Sequence, residues 1–184
     1  MKTLRFLIIA LLAIAPKSTF SQQAINDNQK LAAFIKVWGF LKYFHPAVTQ
    51  GSMDWDSVFI TQLKKTDSLK TKDELNNFLA EWIDHLDAYT YPRTLQIEDT
   101  LNYDSLFVHL FDTTLFNQIL MKRFKQTIKN RSIRENRYAD IIPGINTYNP
   151  VFTAEKEYSK TLYPTLPYRL LALARLWNII LFSL

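Results

Sequence analysis

The chain has 184 residues, 48% of them hydrophobic, 14% aromatic and 21% charged, a globular composition sufficient for one domain or for a domain with part of a second. Three glycines are too few for a phosphate-cradling loop or a dinucleotide-binding turn, and the absence of cysteine excludes disulfides, thiolate metal sites, a cysteine nucleophile and a lipid on an N-terminal cysteine. The formal charge of +5 is largely that of the first segment: Lys2, Arg5 and Lys17 precede residue 22 with no acid among them, which leaves +2 for the remainder.

Residues 1–21 have the pattern of a signal peptide. Lys2 and Arg5 form a basic start, Phe6 to Ala15 an apolar run, and Thr19 and Ser21 supply small residues at the minus-three and minus-one positions of a cut. The run is about half of the roughly 20 residues a bilayer span needs, so export to the periplasm or cell envelope is expected, with cleavage after Ser21, or at Ala13-Ile14-Ala15 as a second cut, and no stable membrane span after it.

Asn26, Asp27 or Asn28 can cap a first helix, whose apolar positions Leu31, Phe34, Ile35, Trp38, Leu41 and Phe44 recur at three- and four-residue spacing. It should stop at His45, because Pro46 disfavours helical geometry in the residue before it. A shorter helix is expected from Asp54 as N-cap, presenting Trp55, Val58, Phe59 and Leu63. Thr71 and Glu74 have the spacing of a capping box and predict a third helix with the stripe Leu75, Phe78, Leu79, Trp82, Ile83 and Leu86. These three make up a predicted N-terminal helical domain over 24–90, with three tryptophans in one core.

Residues 91–167 are predicted to be a loosely structured or helical connector. Periodicity fades from Tyr89 to Asp112; a fourth helix is expected from Thr113 or Thr114 to about Asn130; then Pro143-Gly144, Asn149-Pro150, Pro164 and Pro167 mark an extended stretch. The basic residues Lys122, Arg123, Lys125, Lys129, Arg131, Arg134 and Arg137 read as a solvated face rather than a nucleic-acid surface in an exported chain. Residues 168–184 form a last helix, apolar almost all round and interrupted by Arg169 and Arg175, that starts a second helical unit. The fold class expected is thus mainly α: a small helical bundle, an irregular connector and the first helix of a truncated second unit.

An offset of 139 residues aligns Trp38 with Trp177, and with it Leu31 with Leu170, Phe34 with Leu173, Lys36 with Arg175, Phe40 with Ile179, Leu41 with Ile180 and Tyr43 with Phe182. The same helix is used twice. Residues 30–46 (KLAAFIKVWGFLKYFHP), followed by Gly51 and Asp54-Trp55-Asp56, resemble the opening of exported bacterial serine peptidases of the tricorn-core and C-terminal-processing (tail-specific) family. Residues 149–158 (NPVFTAEKEY), leading into 168–180 (YRLLALARLWNII), resemble a later block of the same family. The resemblance covers roughly residues 28–182 and implies peptide-bond hydrolysis in full-length relatives, with a polypeptide substrate and a serine nucleophile paired with a lysine or a His and acid relay. It places those groups beyond Leu184. Residues 181–184 (LFSL) depart from the family pattern, as a frameshift or premature stop would make them.

No catalytic, cofactor-binding or metal-binding residue is therefore assigned, and no cofactor is expected. No Gly-x-Ser-x-Gly elbow is present. His45 reads as a polar residue favourable to a helix C-terminus, and His85, between Asp84 and Asp87, as part of a solvated face because no second His stands near it. His109 falls where no pattern is legible. Asp54 and Asp56 are explained by capping and by favourable charge at a helix start. The function expected is that of a non-catalytic N-terminal portion of an exported peptidase; the alternative is a stand-alone helical binding module of the cell envelope. The apolar last helix is expected to be an unsatisfied surface capable of self-association, removable with little effect on 24–90.

Overall fold

The computed structural model describes residues 23–87, 111–131, 136–139 and 154–182. The leader, His109, Arg134 and most of the Tyr89 to Asp112 stretch lie outside the described residues. Among the described residues the protein is mainly helical, with six helices and one isolated antiparallel bridge, Ala24 to Thr71. No described helix is long and apolar enough to cross a membrane.

Helix α1, Asp27–Phe44, is the axis of the fold. The Asn26 side chain accepts from the Gln29 N–H and starts it, and Pro46 holds His45 extended and stops it. Eleven of its residues are buried, because the other helices surround it on several sides, and this includes Lys30 and Lys42. A one-turn helix α2, Pro46–Thr49, follows, a helix not expected from the sequence. His45 makes it: the imidazole Nδ1 accepts from the Ala47 N–H at 3.2 Å, and Pro46, lacking an N–H, fits a first helical position. Gly51 then turns the chain in the left-handed region, φ +69°.

Helix α3, Trp55–Thr66, has Asp54 as its N-cap, accepting from Ser57 N–H at 3.1 Å. Helix α4, Lys72–Asp87, opens with the expected reciprocal box: Glu74 N–H donates to Thr71 Oγ1 and Thr71 N–H to Glu74 Oε2. Helix α5, Gln118–Asn130, starts four or five residues later than expected. The N–H groups of Leu115 and Phe116 are taken by the Asp112 carbonyl and that of Thr114 by the Asp112 side chain, so 112–116 closes as a turn and Asn117 becomes the cap. Helix α6, Leu166–Phe182, begins two residues before the expected Tyr168, with Pro167 in its first turn.

Two aromatic clusters flank α1. On one side Trp38 stacks on Trp55 (centroids 6.3 Å apart) and Trp55 on Trp82, with Phe34 and Phe59 against them. The Trp38 and Trp55 indoles donate to each other's backbone carbonyls at 3.1 and 3.2 Å, which satisfies two buried N–H groups at once. On the other side Phe40 meets Phe111 and Phe124, which stack at 4.1 Å, with Phe116 edge-on.

Helix α6 crosses α1 at Gly39. The Asn178 side chain lies where a Cβ at Gly39 would be, and its amide donates to the carbonyls of Ile35 on α1 and Ala174 on α6. Leu171 and Ala174 are buried at the same contact. α6 is thus an integral part of the body on this side, which corrects the expectation that 168–184 can be removed with little effect on the rest.

Gly39→Ala is expected to destabilise the protein by about 1–3 kcal/mol through overlap with Asn178, although alanine is the better helix former. Pairing it with Asn178→Ala should restore part of the loss. Chemical denaturation of the two single variants and the double variant measures the coupling, and additive effects would show that the two helices do not meet there.

Stability should also fall in acid. Asp54 lies below the usual carboxylate range chiefly because Ser57 N–H donates to it, Glu74 because the Lys70 and Thr71 N–H groups do, and Asp84 because Arg123 does. Each native carboxyl takes its proton at lower pH than the unfolded one. The stabilisation is therefore complete above the unfolded value of about 4 and is lost as pH falls through the lower native values. A melting temperature unchanged between neutral pH and the acid side of that range would contradict this.

Candidate functional site

The loop from Gly51 to Asp54, the start of α3, the turn at 136–139, the segment from Ala154 and the middle of α6 line a charged cleft of about 500 Å³. Its wall is built from both sequence blocks that carry the resemblance. Lys42 extends from α1, is almost wholly buried, and pairs with Glu155. Its ammonium also lies over three rings, 5.0 Å from Trp38, 5.8 Å from Tyr43 and 4.8 Å from Tyr138. Arg175 of α6 meets the second Glu155 oxygen at 3.0 Å, pairs with Asp56 of α3, and donates to the Lys156 carbonyl at 2.9 Å. The Tyr158 hydroxyl donates to Asp56 at 3.0 Å. Two cations and two anions are thereby closed into one chain, Lys42 to Glu155 to Arg175 to Asp56.

Asp56 is buried and sits one residue after Trp55, in the first turn of α3. Capping and helix-end charge were expected to explain both Asp54 and Asp56. Asp54 does cap, and also pairs with Lys156 at 3.3 Å, but the role of Asp56 is to receive Arg175. Burial lowers the Lys42 ammonium from its ordinary value, and Glu155 opposes that shift. Burial raises the phenols of Tyr43, Tyr158 and Tyr138, each also facing a nearby carboxylate. The tyrosines therefore stay protonated at neutral pH, where Tyr158 serves as a donor.

The other residues weighed in the sequence lie apart from the cleft. His45 is fully buried; it stands at the C-terminal end of α1 as expected, and its ring in addition caps α2 while Nε2 lies 3.2 Å from Asp87 Oδ1. Because Nδ1 accepts, Nε2 carries the proton toward Asp87. His85 is exposed and bonds to the Glu81 carbonyl of its own helix at 2.7 Å; Asp84 is held by Arg123 through two bonds of 2.7 and 2.6 Å. Among the described residues no group of three His, Asp or Glu could hold a metal ion. In the cleft, Ser52 lies on the wall, and each buried charge is matched by an opposite one. Such an arrangement positions and fastens.

Sequence reasoning missed the ion chain, although a signal was present. Arg175 interrupts an otherwise apolar helix, and Lys42 lies in a helix buried almost all round, so each demands a buried acid. Which acids answer is a matter of tertiary structure, separated by 113 residues for Lys42 and 119 for Arg175.

No protein-family model, no curated protein and no solved structure matches the chain.

Glu155→Gln should cost about 3–5 kcal/mol, because it leaves Lys42 charged and buried without its acid, while Lys42→Met should cost far less, since Glu155 keeps Arg175. Urea unfolding of both variants tests this asymmetry. Equal losses would mean that Lys42 finds another partner.

Proposed function

We propose that this chain is the non-catalytic helical portion of an exported serine-type peptidase of the tricorn-core and C-terminal-processing type. The observation that supports the reading is the meeting of the two resembling blocks. Lys42 and Asp56 come from the first, Glu155, Tyr158 and Arg175 from the second, and the five join in one network, of which Asp56, Glu155 and Arg175 line the cleft. Residues that serve only their own helices would have no reason to interlock in this way. On this reading the cleft fastens the second helical unit to the first, and the part frames or docks the domain that cleaves polypeptide, without cleaving on its own.

A second reading is favoured by the cleft itself. Its volume lies within the range of small-molecule sites, and Arg137 on its wall is exposed. A stand-alone binding module of the cell envelope would use it directly.

The purified chain is expected to give no hydrolysis of unstructured peptides and no labelling by a serine-directed fluorophosphonate; active-site labelling would overturn the non-catalytic assignment. Envelope material should carry a protein that begins near Gln22, and N-terminal sequencing that finds the leader intact would count against export with cleavage. Reading the DNA beyond the Leu184 codon separates the two functional readings. A peptidase domain encoded there, in phase or one base out, supports the first, and its absence supports the second.

A further inference from the structure

Arg137 stands apart from the other charges of the cleft. Lys156 pairs with Asp54 at 3.3 Å, Arg175 with Asp56 and Glu155, and Lys42 with Glu155, so the three carboxylates are already engaged by three cations. The guanidinium of Arg137, on the same wall, makes no ion pair among the described residues. One positive charge is therefore left over. The residue is nonetheless held in place. Its N–H donates to the Thr49 carbonyl at 2.9 Å, and its neighbour Asn136 ties the turn to α1 by donating from Nδ2 to the Tyr43 carbonyl at 2.9 Å. Asn136 Oδ1 accepts from the Tyr138 N–H at 3.0 Å, and the Tyr138 ring is buried beneath the Lys42 ammonium. The aliphatic stem of Arg137 lies across Gly51, its Cδ 1.8 Å from where a Cβ would stand and its Nε 2.9 Å. Gly51 thus serves twice, by turning the chain at positive φ and by giving the stem a seat.

We propose that the cleft, on the reading that makes it a binding site, takes a small organic monocarboxylate whose two oxygens lie against the Arg137 guanidinium. The planar fork of an arginine matches a carboxylate through two parallel N–H donors, and a stem already seated loses less freedom on binding. Charge sets the valence. A single negative charge cancels the excess. A dianion would bring a second one beside Asp54, Asp56 and Glu155, where every other cation is already engaged. Space sets the size. The cleft of about 500 Å³ is room for a single-ring acid, with Met53, Trp55 and Ala154 as wall for its body.

The test follows the backbone and guanidinium N–H signals of the isotope-labelled chain by NMR at fixed ionic strength, with sodium benzoate as the probe and benzamide as its uncharged counterpart. Benzoate is expected to shift the Gly51, Ser52 and Arg137 signals saturably, and benzamide to shift them little. Arg137→Gln should weaken benzoate binding by about tenfold or more while leaving the helical circular dichroism unchanged, because the side chain is exposed and its backbone bond to Thr49 remains. Arg169→Gln removes an exposed arginine of α6 outside the cleft and should leave the binding as it was. Benzoate binding unaffected by Arg137→Gln, or weakened equally by the two variants, overturns the proposal. Inorganic phosphate binding more tightly than benzoate at the same residues overturns it as well. Benzamide binding as tightly as benzoate would strike out the carboxylate and keep the cleft as a binding site, whereas no shift at these residues with any of the probes ends both.

Discussion

A helix buried almost all round cannot carry a charge without a partner brought from elsewhere in the chain, and this constraint governs the structure. α1 holds Lys42 at a depth where an isolated ammonium would cost several kcal/mol. Aromatic faces offset part of that cost, but only a carboxylate can neutralise the charge. Glu155 does so from a segment with no regular structure around it, and the second Glu155 oxygen recruits Arg175, which in turn claims Asp56. One buried cation thereby fixes the positions of the 154–158 segment, the first turn of α3 and the middle of α6.

The apolar contacts of the same region are small. α6 reaches α1 through Leu171, Ala174 and Asn178, and the close approach depends on the missing side chain at Gly39. Small residues let the two backbones come near enough for the Asn178 amide to reach a carbonyl on each helix. Apolar burial of that size supplies little orientation by itself. The ion chain supplies it, because charge-assisted bonds to both oxygens of Glu155 and to Asp56 are directional where dispersion is not. Buried pairs are also screened less by salt than Arg123 with Asp84 or Lys156 with Asp54, which stand nearer the solvent.

Local features were the legible ones. The mainly helical class, the caps at Asn26 and Asp54, the Thr71 and Glu74 box and the stop before Pro46 all depend on residues within four positions of one another, where sequence and geometry are directly linked. The late start of α5 was missed because Asp112 competes with the helix for the same N–H groups, and composition does not say which wins. His45 was read only in part: it ends α1 as expected, but the end of that helix is also the start of another, which is only one turn long. The cleft was not legible at all. Its residues were visible individually as a charge in an apolar helix or an acid beside a tryptophan, but nothing local says that Lys42 should choose Glu155 over Asp56.

The repeated helix pattern shows why likeness of sequence does not ensure likeness of environment. Lys36 and Arg175 occupy corresponding positions, yet Arg175 is enclosed by two acids while Lys36 is half-buried with Asp112 as the nearby charge that raises its pKa against desolvation. Trp38 and Trp177 correspond too, one sealed in a stack of three indoles and the other half in solvent. The difference lies in the helices that pack over each copy of the pattern. α1 is succeeded by α3 and α4, whose Trp55, Phe59 and Trp82 close over it. On α6 the side that meets Gly39 is buried, while Leu173, Leu176 and Trp177 on the other side, with no counterpart of those three rings against them among the described residues, stay half in solvent.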